Sequence, residues 1–129
     1  MALTIAAAST QAMGAALATN IGAAATIEIR SGAKPATPET AASGTLLVTI
    51  AISGSFTSTG GVLTAADPAA AAPAASGTAG YFRLKQSGGT AVLDGTVGTS
   101  AADLILGSTT ITTGVNVDLG VPTFTVPGA

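Results

Sequence analysis

Between Gly80 and Val97, apolar and polar residues alternate with period two on both sides of Gly88-Gly89, and this pattern predicts a β-hairpin. The two glycines supply the positive φ angles of a two-residue turn. Pairing outward places Ser87 opposite Thr90, Lys85 opposite Val92, Leu84 opposite Leu93, Arg83 opposite Asp94 and Phe82 opposite Gly95. Phe82, Leu84 and Leu93 then share a burial face, while Arg83 and Asp94 meet on the other as an opposite-charge pair worth at most ~1 kcal/mol. A slip of one residue would turn the apolar set to water, so the pattern sets the register.

Upstream, Met13, Leu17 and Ile21 recur every four residues within an alanine-rich stretch. This spacing predicts a helix over about 9–21, with Ser9 as its N-cap, Gly22 as its C′ residue and Gly14 as an internal breaker. Residues 1–8 lie ahead of it, and Ala2 to Ala8 reads either as an extended arm or as an edge strand. Ile27-Glu28-Ile29-Arg30 alternates as a strand does, and Pro35 and Pro38 mark the loop that follows. Thr45 to Ile52 carries the strongest strand pattern. Leu46, Val48, Ile50 and Ile52 fall on one face and Leu47, Thr49 and Ala51 on the other, which predicts a central strand half covered on its second side.

Ser53 to Gly61 reads as a turn with Phe56 tucked onto the core, and Val62 to Ala65 as a short strand. Asp67-Pro68 opens a Pro/Ala loop that runs to Gly77 and crosses from one sheet to another. Asp103 to Leu106, Val115 to Leu119 and Thr123 to Val126 bring the count to about seven short strands, with Pro122 marking a bulge, an edge or a switch between sheets. Residues 9–129 are thus expected to form a single all-β domain, a β-sandwich or barrel-like fold with one N-terminal α-helix.

Composition narrows what such a domain can do. Hydrophobic residues make up 47% of the 129 residues but aromatics only 3%, so the core is built in thin layers of small side chains. Charged residues are 8% of the chain, which leaves little to keep its surface apart from other proteins and favours a homo-oligomer or a partner-covered state. Arg30, Lys34, Arg83 and Lys85 are the only cations, and the formal net charge is -2. Four scattered cations cannot supply the phosphate contacts that carry nucleic-acid affinity. Met1 to Ala8 is apolar but lacks the basic n-region of a secretory signal, and no run approaches the ~20 residues that span a bilayer. Neither nucleic acid nor membrane is an expected partner.

The chain has no cysteine and no histidine, which removes the commonest metal ligands and the usual general base together. Serine and threonine are abundant, but no activating base accompanies them. Asp94 and Asp103 flank a Gly/Thr/Ser loop at a spacing that could place two carboxylates near one calcium ion, without the dense oxygen ligands of a true calcium loop. A pairing of Asp94 with Arg83, and a strand beginning at Asp103, account for both. Glu28 with Arg30, and Arg83 with Lys85, are expected on solvated strand faces. Gly77-Thr78-Ala79-Gly80 and Gly95-Thr96-Val97-Gly98 resemble phosphate loops, but no Gly-Lys-Ser/Thr follows, and both read as turns. The expectation is a non-enzymatic protein with no catalytic residue, no metal and no cofactor.

Several stretches together resemble a group of small structural proteins of tailed bacteriophages. They are the succession from Ile27-Glu-Ile-Arg-Ser-Gly-Ala-Lys-Pro to Thr45-Leu-Leu-Val-Thr-Ile50, then Gly61-Val-Leu-Thr-Ala65, Ala74-Ala-Ser-Gly-Thr-Ala-Gly-Tyr-Phe-Arg-Leu-Lys85 and Asp94-Gly-Thr-Val-Gly-Thr-Ser-Ala-Ala-Asp-Leu104. The resemblance implies a virion component, foremost a capsid decoration (cement) protein that binds the major capsid protein or other virion proteins at the capsid surface. A neck or tail component is the second reading. A carbohydrate-binding attachment module is the third, and it would need exposed aromatics among Tyr81, Phe56, Phe82 and Phe124. Within the decoration reading, Ala2, Leu3, Thr4 and Ile5 are the expected partner-binding residues.

Overall fold

A computed structural model describes residues 4–126. The chain is mainly β, with one N-terminal helix, α1 (Ala7–Ile21), followed by ten strands among the described residues. These are β1 (Thr26–Arg30), β2 (Leu46–Ala51), β3 (Thr57–Thr59), β4 (Val62–Thr64), β5 (Gly77–Thr78), β6 (Tyr81–Lys85), β7 (Ala91–Gly98), β8 (Leu104–Ile105), β9 (Thr110–Ile111) and β10 (Thr123–Thr125). They form a five-stranded sheet in the order β2-β1-β6-β7-β8, a three-stranded sheet β10-β4-β3 and a two-stranded pair β5-β9. All pairings are antiparallel except β7 with β8.

The helix differs from expectation at its start and along its buried face. It begins at Ala7 with Ala6 as N-cap and no side-chain cap, so Ser9 lies inside the first turn rather than ahead of it. Ala7 and Ala8 are therefore helical, and Thr4 to Ala6 are irregular, which removes the edge-strand reading from those described residues. Ala2 and Leu3 lie outside the described residues. Gly22 ends the helix as predicted, with φ +71° and its N–H donated to the Ala18 carbonyl. The buried stripe is Thr10, Gly14, Ala18 and Ile21, whereas Met13 is 41% exposed. Small residues win this face because the β3–β4 hairpin approaches it closely: a Cβ on Gly14 would overlap Ser58 Oγ and lie 3.1 Å from Gly61 Cα. Gln11 ties the same contact, its Nε2 donating to the Ser58 carbonyl at 3.0 Å and its Oε1 accepting from Gly60 N–H.

In the β6–β7 hairpin, Phe82 faces Gly95, Arg83 faces Asp94 and Leu84 faces Leu93, as the alternation predicts. Nearer the turn the register shifts. Lys85 pairs with Ala91, Val92 becomes the extra residue of a bulge, and the Gln86 N–H closes the loop onto the Thr90 carbonyl at 2.9 Å. Of the two glycines only Gly89 takes a positive φ. The two-residue turn with both φ angles positive is instead Gly60-Gly61, between Thr59 and Val62, in a stretch whose sequence predicts a turn alone.

Two further positions differ. β2, expected to be central, is the edge of the five-stranded sheet, and the carbonyl of its Leu47 accepts N–H groups of Ala74 and Ala75 from the crossing loop. That loop does leave the sheet of β4, and it enters β5 of the two-stranded pair before the chain reaches β6 of the five-stranded sheet. Val115 to Leu119 forms no strand and contributes a single bridge, Val117 with Ala71. The glycine-bounded segments expected as turns are strands: Gly77–Thr78 is β5, and Gly95–Gly98 completes β7.

The core lies where the two larger sheets and the helix meet. Ile27, Ile29, Val48, Ile50, Phe82 and Leu84 line the inner face of the five-stranded sheet. Phe82 stacks on Phe124 of β10 with ring centroids 5.1 Å apart, and Phe56 packs against Phe124 in a tilted arrangement at 5.9 Å. Ala18 and Ile21 of α1 join this cluster.

Candidate functional site

Side chains on a strand alternate between faces, so the inward set of the five-stranded sheet dictates an outward one. Glu28 of β1 is paired with Arg83 of β6, and Arg83 with Asp94 of β7, which lines three charged residues across three strands. Arg83 grips Asp94 through two hydrogen bonds, Nε to Oδ1 at 2.7 Å and Nη2 to Oδ2 at 2.8 Å. Glu28 accepts from Arg30 Nε and from Lys85 Nζ, both at 3.1 Å. The expectation of solvated faces fails at the centre of this network, where the side chains of Arg83 and Asp94 are only 5% and 2% exposed. The hydrogen bonds to Asp94 raise the Arg83 pKa above its ordinary value, against the opposing effect of burial.

Tyr81 continues the row and is fully buried, its hydroxyl donating to the Ser43 carbonyl at 2.8 Å and accepting from Ser43 N–H at 3.0 Å. The loop between β1 and β2 is thereby fastened over one end of the outer face. Phe56, Phe82 and Phe124 are buried as well, so none of the four aromatic residues presents a platform to solvent.

Asp103 does not join Asp94. Its Oδ2 accepts from Thr96 N–H at 2.9 Å and from Thr96 Oγ1 at 3.1 Å, while its own N–H donates to Thr96 Oγ1. This reciprocal tie closes the 96–103 turn and leads directly into β8. Both carboxylates are thus engaged by the chain itself, and no group of three or more acidic residues that could hold a metal ion occurs among the described residues. Among the described residues no helix is long and apolar enough to cross a membrane.

An open groove of about 670 Å³ lies between β7 and β10. It is lined by the stacked Phe82 and Phe124, by Leu17 of α1, by Val92 and Leu93 of β7 with Ile105 of β8, and by a threonine lip, Thr123 and Thr125 of β10. Ile105 is 48% exposed there. Of the residues expected to bind a partner, Thr4 is exposed and Ile5 half-buried, and neither belongs to a strand. Nothing in the local sequence pattern singles out the groove. Its threonine lip is legible only as the polar half of an alternating strand, because which edge of β10 stays open depends on the sheet order.

No protein-family model, curated protein or solved structure matches this chain.

Proposed function

We propose that this protein is a structural component of a tailed-bacteriophage virion, and within that class a capsid decoration protein that binds the major capsid protein and neighbouring virion proteins as a homo-oligomer. The class comes from the resemblance of its strand and loop sequences to small phage structural proteins. The finer fold in this reading is a β-sandwich or barrel-like domain, supported by the Phe82–Phe124 stack that joins the five-stranded to the three-stranded sheet.

The observation that carries the reading is where the charges go. Three of the four cations, Arg30, Arg83 and Lys85, are spent on Glu28 and Asp94 inside one network. Among the described residues Lys34 makes no ion pair and donates to the neighbouring Pro35 carbonyl at 3.4 Å. What is left for partners is a sparsely charged, weakly acidic surface, Lys34 against Glu39, Asp67, Asp103 and Asp118, dominated by small side chains and open strand edges and suited to close packing and backbone pairing rather than to chemistry on a substrate. Repetition over a symmetric shell turns many weak contacts of this kind into firm attachment.

A density map of the intact particle tests the proposal. Copies of this fold repeating with the capsid lattice are the expected result. A single ring of copies at the neck would replace the head by the neck or tail component, and particles without the chain would remove the virion role.

A further inference from the structure

We infer that the groove between β7 and β10 is an acceptor for an extended strand, and that the strand is the N-terminal segment Met1 to Ile5 of a second copy of this chain. The inference stands on the geometry of the groove and holds whether or not the chain belongs to a virion.

The acceptor edge follows from the β10–β4 pairing. Pro122 C=O receives Ala65 N–H, and Val126 N–H reaches Gly61 C=O, so residues 122, 124 and 126 direct their backbone groups toward β4. By the two-residue alternation, Thr123 and Thr125 direct theirs away from it, along the groove, and β10 has no second neighbour in the sheet order. The opposite lip is built alike. Thr96 N–H points away from β6 to Asp103, and Gly98 C=O points to Leu106, so Asp94 also turns its backbone groups outward, ahead of the point where β8 begins to cover the edge. Two strand edges with open backbone groups therefore face an apolar trough, the arrangement that accepts an added strand.

The segment is chosen by its sequence. Met1, Leu3 and Ile5 alternate with Ala2 and Thr4, so an extended form would set three apolar side chains on one face and small or polar ones on the other. No charged side chain precedes Glu28, so the segment can enter the apolar trough without burying a charge. Within one chain Thr4 stays exposed and Thr4 to Ala6 pair with no strand, so the described part of the segment does not occupy its own chain's groove. Reciprocal exchange between two copies would fill both grooves with the same contact.

The test uses the full chain, which is free of cysteine. Single variants Thr4→Cys and Thr125→Cys are mixed and oxidised, and disulfide-linked pairs are read on non-reducing gels. The mixture should give a linked heterodimer, and Thr4→Cys mixed with Val115→Cys, an exposed site away from the groove, should not. Light scattering should show a self-associating parent chain. Thr125→Pro, which removes only an outward N–H, should weaken that association about tenfold or more, the scale of a lost backbone hydrogen bond. Leu3→Asp, which leaves β10 untouched, should weaken it too. A monomeric parent chain, a mixture of Thr4→Cys and Thr125→Cys that gives no linked heterodimer, or association indifferent to both Thr125→Pro and Leu3→Asp would overturn the inference.

Discussion

The inner face of the five-stranded sheet buries Ile27, Ile29, Ile50 and Leu84 without a polar atom among their side chains, while the outer face buries Arg83 and Asp94 nearly as fully through paired charges. The two faces hold the same strands by different physics. Apolar packing is graded, and each methylene removed costs a little. The ion pair is close to all-or-none, because desolvating two charges is offset only while both partners and their hydrogen bonds are present. The inner face accordingly supplies stability, and the outer face supplies register, since Arg83 reaches Asp94 with two bonds in only one alignment of β6 on β7.

The sharpest way to break this comparison is to remove one partner of the pair. Asp94→Ala strands the Arg83 guanidinium in a buried site and should cost about 3–5 kcal/mol in urea unfolding. Replacing both, with Arg83→Met and Asp94→Leu together, should recover most of that loss. If the double variant is as unstable as Asp94→Ala alone, the outer face is not governed by an unpaired charge.

A smaller effect is expected where α1 meets the β3–β4 hairpin, a contact that depends on having almost no side chain. Gly14→Val would drive methyl groups into Ser58 and the Gly61 backbone and should cost about 1–3 kcal/mol despite the loss of a helix-weakening glycine. An unchanged unfolding midpoint would show that the seam yields readily. On the inner face, Ile29→Val should cost only about 0.5–1.5 kcal/mol, and a loss as large as that of Asp94→Ala would erase the distinction between the faces.

The smallest effect is one of pH. Because the folded pKa of Arg83 is raised above its unfolded value, its contribution is fully present below the unfolded pKa and is lost only as pH rises through the folded one. The stability difference between the parent chain and the Arg83→Met/Asp94→Leu variant should therefore stay flat from about pH 7 to pH 11. A slope in that range would mean that another group titrates with the pair.

Much of the hairpin is legible in the sequence because its alternation is strict. Phe82, Leu84 and Leu93 admit one inward alignment, and that alignment alone brings Arg83 to Asp94. Its turn is not, because two glycines accommodate either a two-residue turn or a longer loop with a bulge, and the choice rests on where Lys85 and Val92 find room. The Gly60-Gly61 hairpin is hidden for the opposite reason: Thr57-Ser58-Thr59 has no apolar alternation to announce a strand. α1 shows a third kind of failure. Large residues point to Met13 and Leu17, whereas the tight approach of the hairpin selects Thr10, Gly14 and Ala18, a spacing of small residues that is present in the sequence as a signal for close packing.

The sequence by itself determined the mainly β character with one N-terminal helix, the β6–β7 register from Phe82 to Leu84 and the absence of histidine and cysteine chemistry, since these depend on side-chain type and on neighbours two to four residues apart. Only the tertiary structure decided that β2 is an edge, that the charges of the outer face are buried, and that β7 and β10 leave a groove between them. Sheet order and burial arise from contacts among residues far apart in the chain, and no local pattern encodes which of several suitable strands becomes the neighbour. The open edge of β10 is the clearest case: Thr123 and Thr125 read as ordinary strand residues until the order β10-β4-β3 leaves their backbone groups facing outward.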